Sequence, residues 1–230
     1  MEKEVKRIMT TEVGIKVNNF LIIGADTQIT SGNNKLPFGY PKVKLVGSNL
    51  IAGAGSVGYI QNLLNMAVRE IRSQAVYEDT SAENISLISL VKTLGSLNFR
   101  LPLEHRRFSA FEFLIGGLRD LEPTLFSVGA DGSIIQIPTF YATGSGSQLA
   151  LSILSEKYSE DMSKQQAKEL VFEALKQSSG QDIYTNDSFQ VFILEMGENN
   201  QWFVDEYNSP EELSDREKEA LKEPTKEAKK

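Results

Sequence analysis

Two hydrophobic periods alternate along this chain in a fixed order, and that order restricts the fold more than any other feature. Strand-like runs cover 10–55 and 111–144, helical spacing covers 57–99 and 148–178, and strand-like runs return over 188–207. Side chains repeat every two residues in a strand and about every 3.6 residues in a helix, so each change of period marks a change of element. The order predicts an α+β domain, a four-layer αββα sandwich with two sheets face to face and helices on both outer sides.

The helical segments carry start signals. We predict helices over 57–77, 81–99, 148–157 and 164–178. Thr80 with Glu83, and Ser163 with Gln166, have the spacing of a capping box, in which two side chains satisfy free N–H groups at a helix start. The segment 31–41 is rich in Gly, Asn and Pro and is typical of a connection between strands.

Three segments differ in character. Residues 10–207 suffice for one domain, and the chain length allows a substantial core. Residues 1–9 are expected to be a propeptide or another removable N-terminal extension. Residues 208–230 are densely charged, which predicts a solvated helix or a disordered tail, with a docking peptide as the alternative.

Composition excludes several classes of function. The chain has no cysteine, which excludes disulfides, thiolate zinc sites and cysteine nucleophiles and fits the cytoplasm. A net charge of -7 argues against a nucleic-acid partner, because such proteins usually present a basic surface. No apolar run reaches the length of a membrane span or of a signal-peptide core. We expect no metal and no cofactor.

The single histidine restricts the choice of catalytic base. His105 lies in the polar stretch LEHRRFS, where a solvated loop residue is expected. A Ser-His-Asp triad or a His-rich metal site would depend on that residue alone. A hydrolase with this sequence would therefore take its base from lysine, a carboxylate or an α-amino group.

Thr10 begins the first strand-like run and is a candidate nucleophile. Once the preceding residues are removed, a threonine at the N-terminus supplies both the hydroxyl and an α-amino group that acts as its base. That amine titrates near pH ~8, so much of it is unprotonated at neutral pH. Paired threonines such as Thr10-Thr11 also occur for β propensity alone, so the motif needs further support.

That support comes from a resemblance. TTEVGI, GADTQIT, AGAGSVG and TGSGSQLALSIL follow one another as do the motifs of the proteasome β-subunit family, and the resemblance covers about residues 10–206. It implies that Thr10 is the nucleophile, that Asp26 is the aspartate of the second strand and that Thr30 binds substrate. The family's lysine, 16 residues after that aspartate, falls on Lys42.

The lysine beside the threonine has a physical role in such a site. A buried ammonium favours deprotonation of the nearby hydroxyl, and an aspartate holds the ammonium charged and oriented. Lys44 is a second candidate, because strand side chains two residues apart share a face. In isolation, both lysines would be expected to face solvent.

The segment AGAGSVG implies the oxyanion site. The backbone N–H of Gly55 would point at the oxyanion, since a glycine before a helix allows close approach of a carbonyl. Two positions earlier, Gly53 occupies the position whose side chain sets the floor of the specificity pocket in that family, with Ile29 and Val57 in the wall. Because glycine contributes no floor, we expect a deep pocket and cleavage after bulky apolar or aromatic residues, with Gln61 and Lys44 further out.

Two further motifs complete the resemblance. TGSGS places the Ser145 hydroxyl near the amine of Thr10, and DIYTND aligns Asp182 with the family's aspartate and Thr185 with its serine. Thr185 keeps a hydroxyl, so a hydrogen-bonding role survives the exchange. Ile183-Tyr184-Thr185-Asn186 and Gln28 resemble instead the bacterial HslV-type peptidase of the same fold.

The resemblance implies a threonine endopeptidase that hydrolyses unfolded polypeptides inside a ring of like or unlike β subunits, with an α-type ring or an ATPase unfoldase as partner. Met9 rather than glycine precedes Thr10, so either self-cleavage of a zymogen or initiation at Met9 followed by its removal would expose the amine. Two alternatives stay open: an unprocessed structural β subunit of a mixed ring, and an N-terminal nucleophile hydrolase of small amides.

Overall fold

The computed structural model describes residues 10–31, 34–77, 85–102, 111–181, 188–197 and 201–222. Within these segments the chain forms twelve strands and five helices. The strands are β1 (Thr11–Val17), β2 (Phe20–Asp26), β3 (Gln28–Ser31), β4 (Asn34–Gly39), β5 (Val43–Val46), β6 (Asn49–Ala54), β7 (Glu112–Arg119), β8 (Glu122–Gly129), β9 (Ile134–Ile137), β10 (Phe140–Gly144), β11 (Phe189–Met196) and β12 (Trp202–Tyr207). The helices are α1 (Val57–Tyr77), α2 (Leu87–Arg100), α3 (Ser147–Lys157), α4 (Lys164–Gln181) and α5 (Asp215–Lys222).

Two five-stranded sheets form the middle of the molecule. The first has the strand order β10-β1-β2-β11-β12, and the second has the order β5-β6-β7-β8-β9. Neighbouring strands are antiparallel in both sheets. A separate two-stranded sheet pairs β3 with β4. In the first sheet, the central strands β1 and β2 are almost wholly buried, because one face meets the other sheet and the opposite face meets helices.

Three apolar clusters define the layers. One lies between the two sheets and includes Leu21, Ile23 and Leu114. A second joins the first sheet to α3 and α4, and a third joins the second sheet to α1 and α2. In α1, the buried residues Leu63, Leu64, Ala67 and Ile71 form one stripe, as expected of an amphipathic helix. The order of layers is αββα, which confirms the fold predicted from the two periods.

The helix boundaries follow the sequence signals with one exception. Helix α1 spans the predicted residues 57–77, and the α4 capping box is present: Ser163 N–H donates to Gln166 Oε1 at 2.9 Å, and Gln166 N–H donates to Ser163 Oγ at 3.2 Å. For α2 the predicted start is wrong. The helix begins at Leu87, and its N-cap Ser86 accepts from the N–H of Ser89. The predicted capping pair, Thr80 and Glu83, lies outside the described residues.

The segment predicted as a connection contains regular structure. Strands β3 and β4 pair antiparallel, with a register shift between Gln28 and Thr30. Proline cannot donate to a ladder, but Pro37 is tolerated because each strand of a two-stranded sheet has a free edge. The prediction of an irregular connection, made from the high content of Gly, Asn and Pro, is therefore wrong over β4.

The start of the charged tail docks on the domain. Ser214 is 5% exposed and forms a capping box with Glu217 at the start of α5. Arg216 donates to Glu195 at 2.9 Å and to Asp205 at 2.6 Å on the neighbouring strands. Helix α5 is therefore in contact with the domain along its first turn rather than fully solvated, and the Ser-x-x-Glu spacing was a signal for its start.

Within the described segments, none of the helices combines the length and apolar character needed to cross a bilayer.

Candidate active site

Strand pairing brings Thr10 and Asp26 together. Thr10 directly precedes β1 and is 4% exposed, while Asp26 ends β2 and is 1% exposed. Glu12 pairs with Ala25, so the next pair outward in this antiparallel register is Thr11 with Asp26. The N–H of Thr11 donates to Asp26 Oδ1 at 2.8 Å. The carboxylate of Asp26 is thus fixed beside the chain that leads to Thr10.

Asp26 also holds Lys42. Lys42 Nζ lies 2.8 Å from Asp26 Oδ2, and the two side chains are 5% and 1% exposed. Gln28 N–H donates to the same oxygen at 2.9 Å. Burial raises the pKa of the Asp26 carboxyl, whereas the ammonium and the two backbone donors favour its ionised form. A buried carboxylate with three donors satisfies the geometry that a buried ion pair requires.

A hydrogen bond to the first sheet fixes the backbone next to Lys42. Val43 N–H donates to the side-chain oxygen of Gln190 on β11 at 3.2 Å. This hydrogen bond joins the edge strand β5 of the second sheet to the first sheet, and it fixes the chain immediately after Lys42. Lys42 and Thr10 line the same pocket.

The end of β10 closes on Thr10 from the other side. Ser145 N–H donates to the carbonyl oxygen of Thr10 at 2.8 Å. The preceding residue, Gly144, has φ of +93°, and a β-carbon there would lie 1.7 Å from the same oxygen. Only glycine fits this approach. The backbone of Ser145 therefore contacts Thr10 directly, while Ser145 as a whole is exposed to solvent.

Gly55 occupies the turn between β6 and α1, where the sequence predicted it. Its φ is +148°, and a β-carbon would lie 2.6 Å from Cβ of Phe111. Gly55 lines the pocket that contains Thr10. Both the backbone angle and the lack of space require glycine at this position.

One pocket contains Thr10 and extends beneath α1. Its walls are mainly apolar, with contributions from β6, β7 and the first turns of α1. The lining residues are Thr10, Tyr40, Lys42, Lys44, Ile51, Ala52, Gly53, Gly55, Val57, Ile60, Gln61, Leu64 and Phe113. Gly53 and Val57, which the resemblance assigns to the specificity pocket, line this cavity, whereas Ile29 is half-buried and is not among the lining residues.

The expectation of a deep pocket above Gly53 is wrong. A β-carbon at Gly53 would meet Cγ2 of Ile60 at 2.7 Å, so the space that the glycine leaves is already filled. Ile60 lies one turn into α1, and its packing depends on how that helix crosses β6. The effective floor is therefore the side chain of Ile60.

A polar group lies on another part of the wall. The hydroxyl of Tyr40 accepts from Lys44 Nζ at 2.8 Å and from Gln61 Nε2 at 2.5 Å. The Lys44 ammonium also lies 5.2 Å from the centre of the Tyr40 ring. Tyr40 was not predicted from the sequence; it lies in the connection between β4 and β5, two residues before Lys42.

Some of the residues singled out in the sequence lie outside the described part of the structure. Asp182 and Thr185 lie outside the described residues, as does His105. Thr30 lies in β3, but only its backbone belongs to the described part of the structure. In the described segments, no three His, Cys, Asp or Glu side chains are grouped as a metal site would require.

Comparisons with known proteins agree with this arrangement. A family model described as "Proteasome subunit" matches residues 9–194. The chain is 33% identical over 195 residues to "Proteasome subunit beta 2" of Thermococcus gammatolerans, covering 83% of this chain and 92% of the relative. It is 31% identical to the protein of the same name in Thermococcus onnurineus, covering 79% and 88%. It is 29% identical to "Proteasome subunit beta 1" of Ignicoccus hospitalis, covering 81% and 91%.

Proposed function

Because the chain belongs to the proteasome β-subunit family, we propose that it is a threonine-type endopeptidase subunit whose nucleophile is the hydroxyl of Thr10. It acts after residues 1–9 are removed, in a ring of β subunits within the cytoplasm. The substrates are unfolded polypeptides, supplied through an α-type ring or an ATPase unfoldase.

The observation that carries this proposal is the buried ion pair next to Thr10. Lys42 Nζ lies 2.8 Å from Asp26 Oδ2. Asp26 Oδ1 accepts a hydrogen bond from the N–H of Thr11, the residue directly after the proposed nucleophile. A buried pair of this kind costs desolvation energy and is weak support for stability alone. Because Lys42 lines the same pocket as Thr10, the pair instead suits charge stabilisation in catalysis.

The proposed reaction begins with proton transfer. The free α-amino group of Thr10 takes the proton from Thr10 Oγ, and the Lys42 ammonium stabilises the negative charge that develops on that oxygen. Oγ then attacks the substrate carbonyl. The oxyanion that forms accepts a hydrogen bond from the N–H of Gly55, next to the start of α1.

The second half of the reaction regenerates the enzyme. The ammonium of Thr10 returns its proton to the leaving amine, and the acyl group stays on Oγ as an ester. Water, deprotonated by the same amine, hydrolyses the ester and restores the hydroxyl. Ser145 joins this proton exchange through its hydroxyl, and Asp182, Thr185 and Thr30 hold the amine and the substrate backbone.

The test uses the assembled protein purified from cells. Intact mass and N-terminal sequencing should show a chain that begins at Thr10, in a complex of ring mass. Thr10→Ala should abolish hydrolysis of fluorogenic peptides while leaving assembly intact. Thr10→Ser should retain part of the activity, because it keeps the hydroxyl and the amine.

The alternatives give different results in the same experiment. A structural β subunit would keep residues 1–9 and show no hydrolysis that depends on Thr10. A hydrolase of small amides would be active without a ring and would not cleave peptides. Full turnover by the Thr10→Ala protein would exclude the proposed nucleophile.

A further inference from the structure

Glu12 is a buried acid for which the proposed mechanism has no role. It is 0% exposed and lies on β1 opposite Ala25 of β2. Gly14 lies on the same face of β1, and a β-carbon there would meet Leu114 and Leu125 of the second sheet. The side chain of Glu12 therefore points into the space between the two sheets, one residue after the Thr11 that binds Asp26.

The hydrogen-bond donors nearest to this carboxyl group along the strands are directed elsewhere. Neither oxygen of Glu12 has a partner within the described part of the chain. Thr143, which lies opposite on β10, donates its hydroxyl to Glu112 at 2.6 Å instead, and the nearby N–H of Thr11 donates to Asp26. An ionised carboxylate without donors is far more costly to bury than a neutral acid. The geometry therefore favours a protonated Glu12.

Three charged groups face Glu12 from the surrounding elements. They are Asp26 at the end of β2, Lys42 before β5 and Glu112 on β7. Burial raises the pKa of the Glu12 carboxyl well above its usual range; Lys42 opposes the rise, and Asp26 and Glu112 add to it. Glu112 differs from Glu12, because its oxygens accept hydrogen bonds from the hydroxyls of Ser127 and Thr143.

We propose that Glu12 is a positioning residue that acts on Thr10 through Lys42. When Glu12 is protonated, the Asp26 carboxylate partly neutralises the charge of the Lys42 ammonium. The positive potential that remains then acts on Thr10 Oγ. When Glu12 loses its proton, a second anion lies behind the ammonium and weakens its effect on the hydroxyl. This inference rests on the proposed function, and it adds an internal acid that limits activity at alkaline pH.

The first test is the pH dependence of kcat/KM for a fluorogenic peptide, measured on the assembled protein. Glu12→Gln replaces the acid by a neutral group of the same shape that cannot ionise. At neutral pH its activity should stay within about threefold of the original, because both side chains are neutral there. Its alkaline limb should move up by about one pH unit, the shift that one charge causes at a distance of several ångströms.

Two further variants serve as controls. Glu12→Asp keeps the ionisable proton and should restore an alkaline limb below that of Glu12→Gln. Glu122→Gln removes an exposed glutamate of β8 and should leave the whole profile unchanged. A residue with only a packing role would lower activity equally at every pH, so the shape of the profile separates the two roles.

The second test does not depend on activity. Infrared difference spectra between neutral and alkaline pH, with ¹³C-labelled glutamate in the inactive Thr10→Ala protein, should show the carbonyl band of a protonated glutamic acid. The band should be lost in alkali and should be absent after Glu12→Gln. This result would hold even if Thr10 proved not to be the nucleophile.

Either measurement can overturn the proposal. An alkaline limb of Glu12→Gln that superimposes on the original would show that Glu12 does not act through Lys42. A missing carbonyl band at neutral pH would show that Glu12 is ionised in the resting protein. If Glu12→Gln fails to assemble, the spectrum of the Thr10→Ala protein tests the protonation of Glu12, and a displaced alkaline limb of Glu12→Asp tests its action through Lys42.

Discussion

The carbonyl oxygen of Thr10 lies where a β-carbon on Gly144 would be, with only 1.7 Å between the two positions. Strand β10 ends in a backbone turn at φ +93°, and this turn delivers the N–H of Ser145 to that same oxygen. The position of Thr10 thus depends on a residue without a side chain, 134 positions away in sequence.

Gly144→Ala should therefore displace Thr10. The added carbon forces either β10 or the Thr10 backbone to move, and a shift of about 1 Å at a reacting group costs on the order of 100-fold in rate. Peptide hydrolysis by the assembled variant measures the loss. Gly58→Ala is the matched control, because a β-carbon there meets nothing within 4 Å, and its activity should be unchanged.

Lys42→Ala should lower kcat by at least ~100-fold, the usual contribution of a group that handles a proton or stabilises charge. Lys42→Arg should not restore activity, since a planar guanidinium does not fit a space that holds a compact ammonium against Asp26. Lys44→Ala should retain hydrolysis, because Lys44 contacts the Tyr40 hydroxyl rather than Asp26. Equal losses at Lys42 and Lys44 would contradict the assignment.

Ile60→Ala should enlarge the pocket that contains Thr10. Removal of the side chain that covers Gly53 frees space for a larger substrate residue, and each buried methylene contributes about 0.8 kcal/mol. A peptide library should show cleavage shifted toward larger apolar or aromatic residues before the cut. In contrast, Gly53→Met should disturb packing against Ile60 rather than refill an empty floor. A profile unaltered by Ile60→Ala would show that substrates do not reach this wall.

Docking of α5 should weaken in acid. Burial raises the pKa of Glu217, but the N–H of Ser214 and the Lys164 ammonium outweigh it and lower the pKa from 4.5 to about 2. A carboxyl whose folded pKa is depressed stabilises the folded form fully above its unfolded pKa, and this contribution is lost as pH falls toward 2.

Protection of α5 from limited proteolysis or hydrogen exchange should therefore fall over that pH range. Glu217→Gln should remove most of this acid sensitivity and cost about 1–2 kcal/mol of docking at neutral pH, allowing for partial exposure. Glu211→Gln, at an exposed position, is the control and should behave like the original protein. Identical acid profiles for Glu217→Gln and the original would contradict this account.

The sequence alone determined the order of layers and most helix boundaries. Both arise from local rules: a side-chain period selects strand or helix, and capping-box spacing marks a helix start, as at Ser163 with Gln166. The spacing between Asp26 and Lys42 was also readable, because the family motifs follow one another without a gap. Their 2.8 Å contact agrees with that reading.

Only the tertiary structure decided the contacts that depend on how layers meet. Ile60 covers Gly53 because α1 crosses β6 at that point, and among the described residues Glu12 has no donor, since Thr143 opposite it donates to Glu112. Neither relation follows a local period, since each joins residues whose distance depends on packing across sheets. The sequence therefore indicated the pairing of Asp26 with Lys42, whereas the packing of the layers set the shape of the pocket beside Thr10 and buried Glu12 where neither of its oxygens has a partner among the described residues.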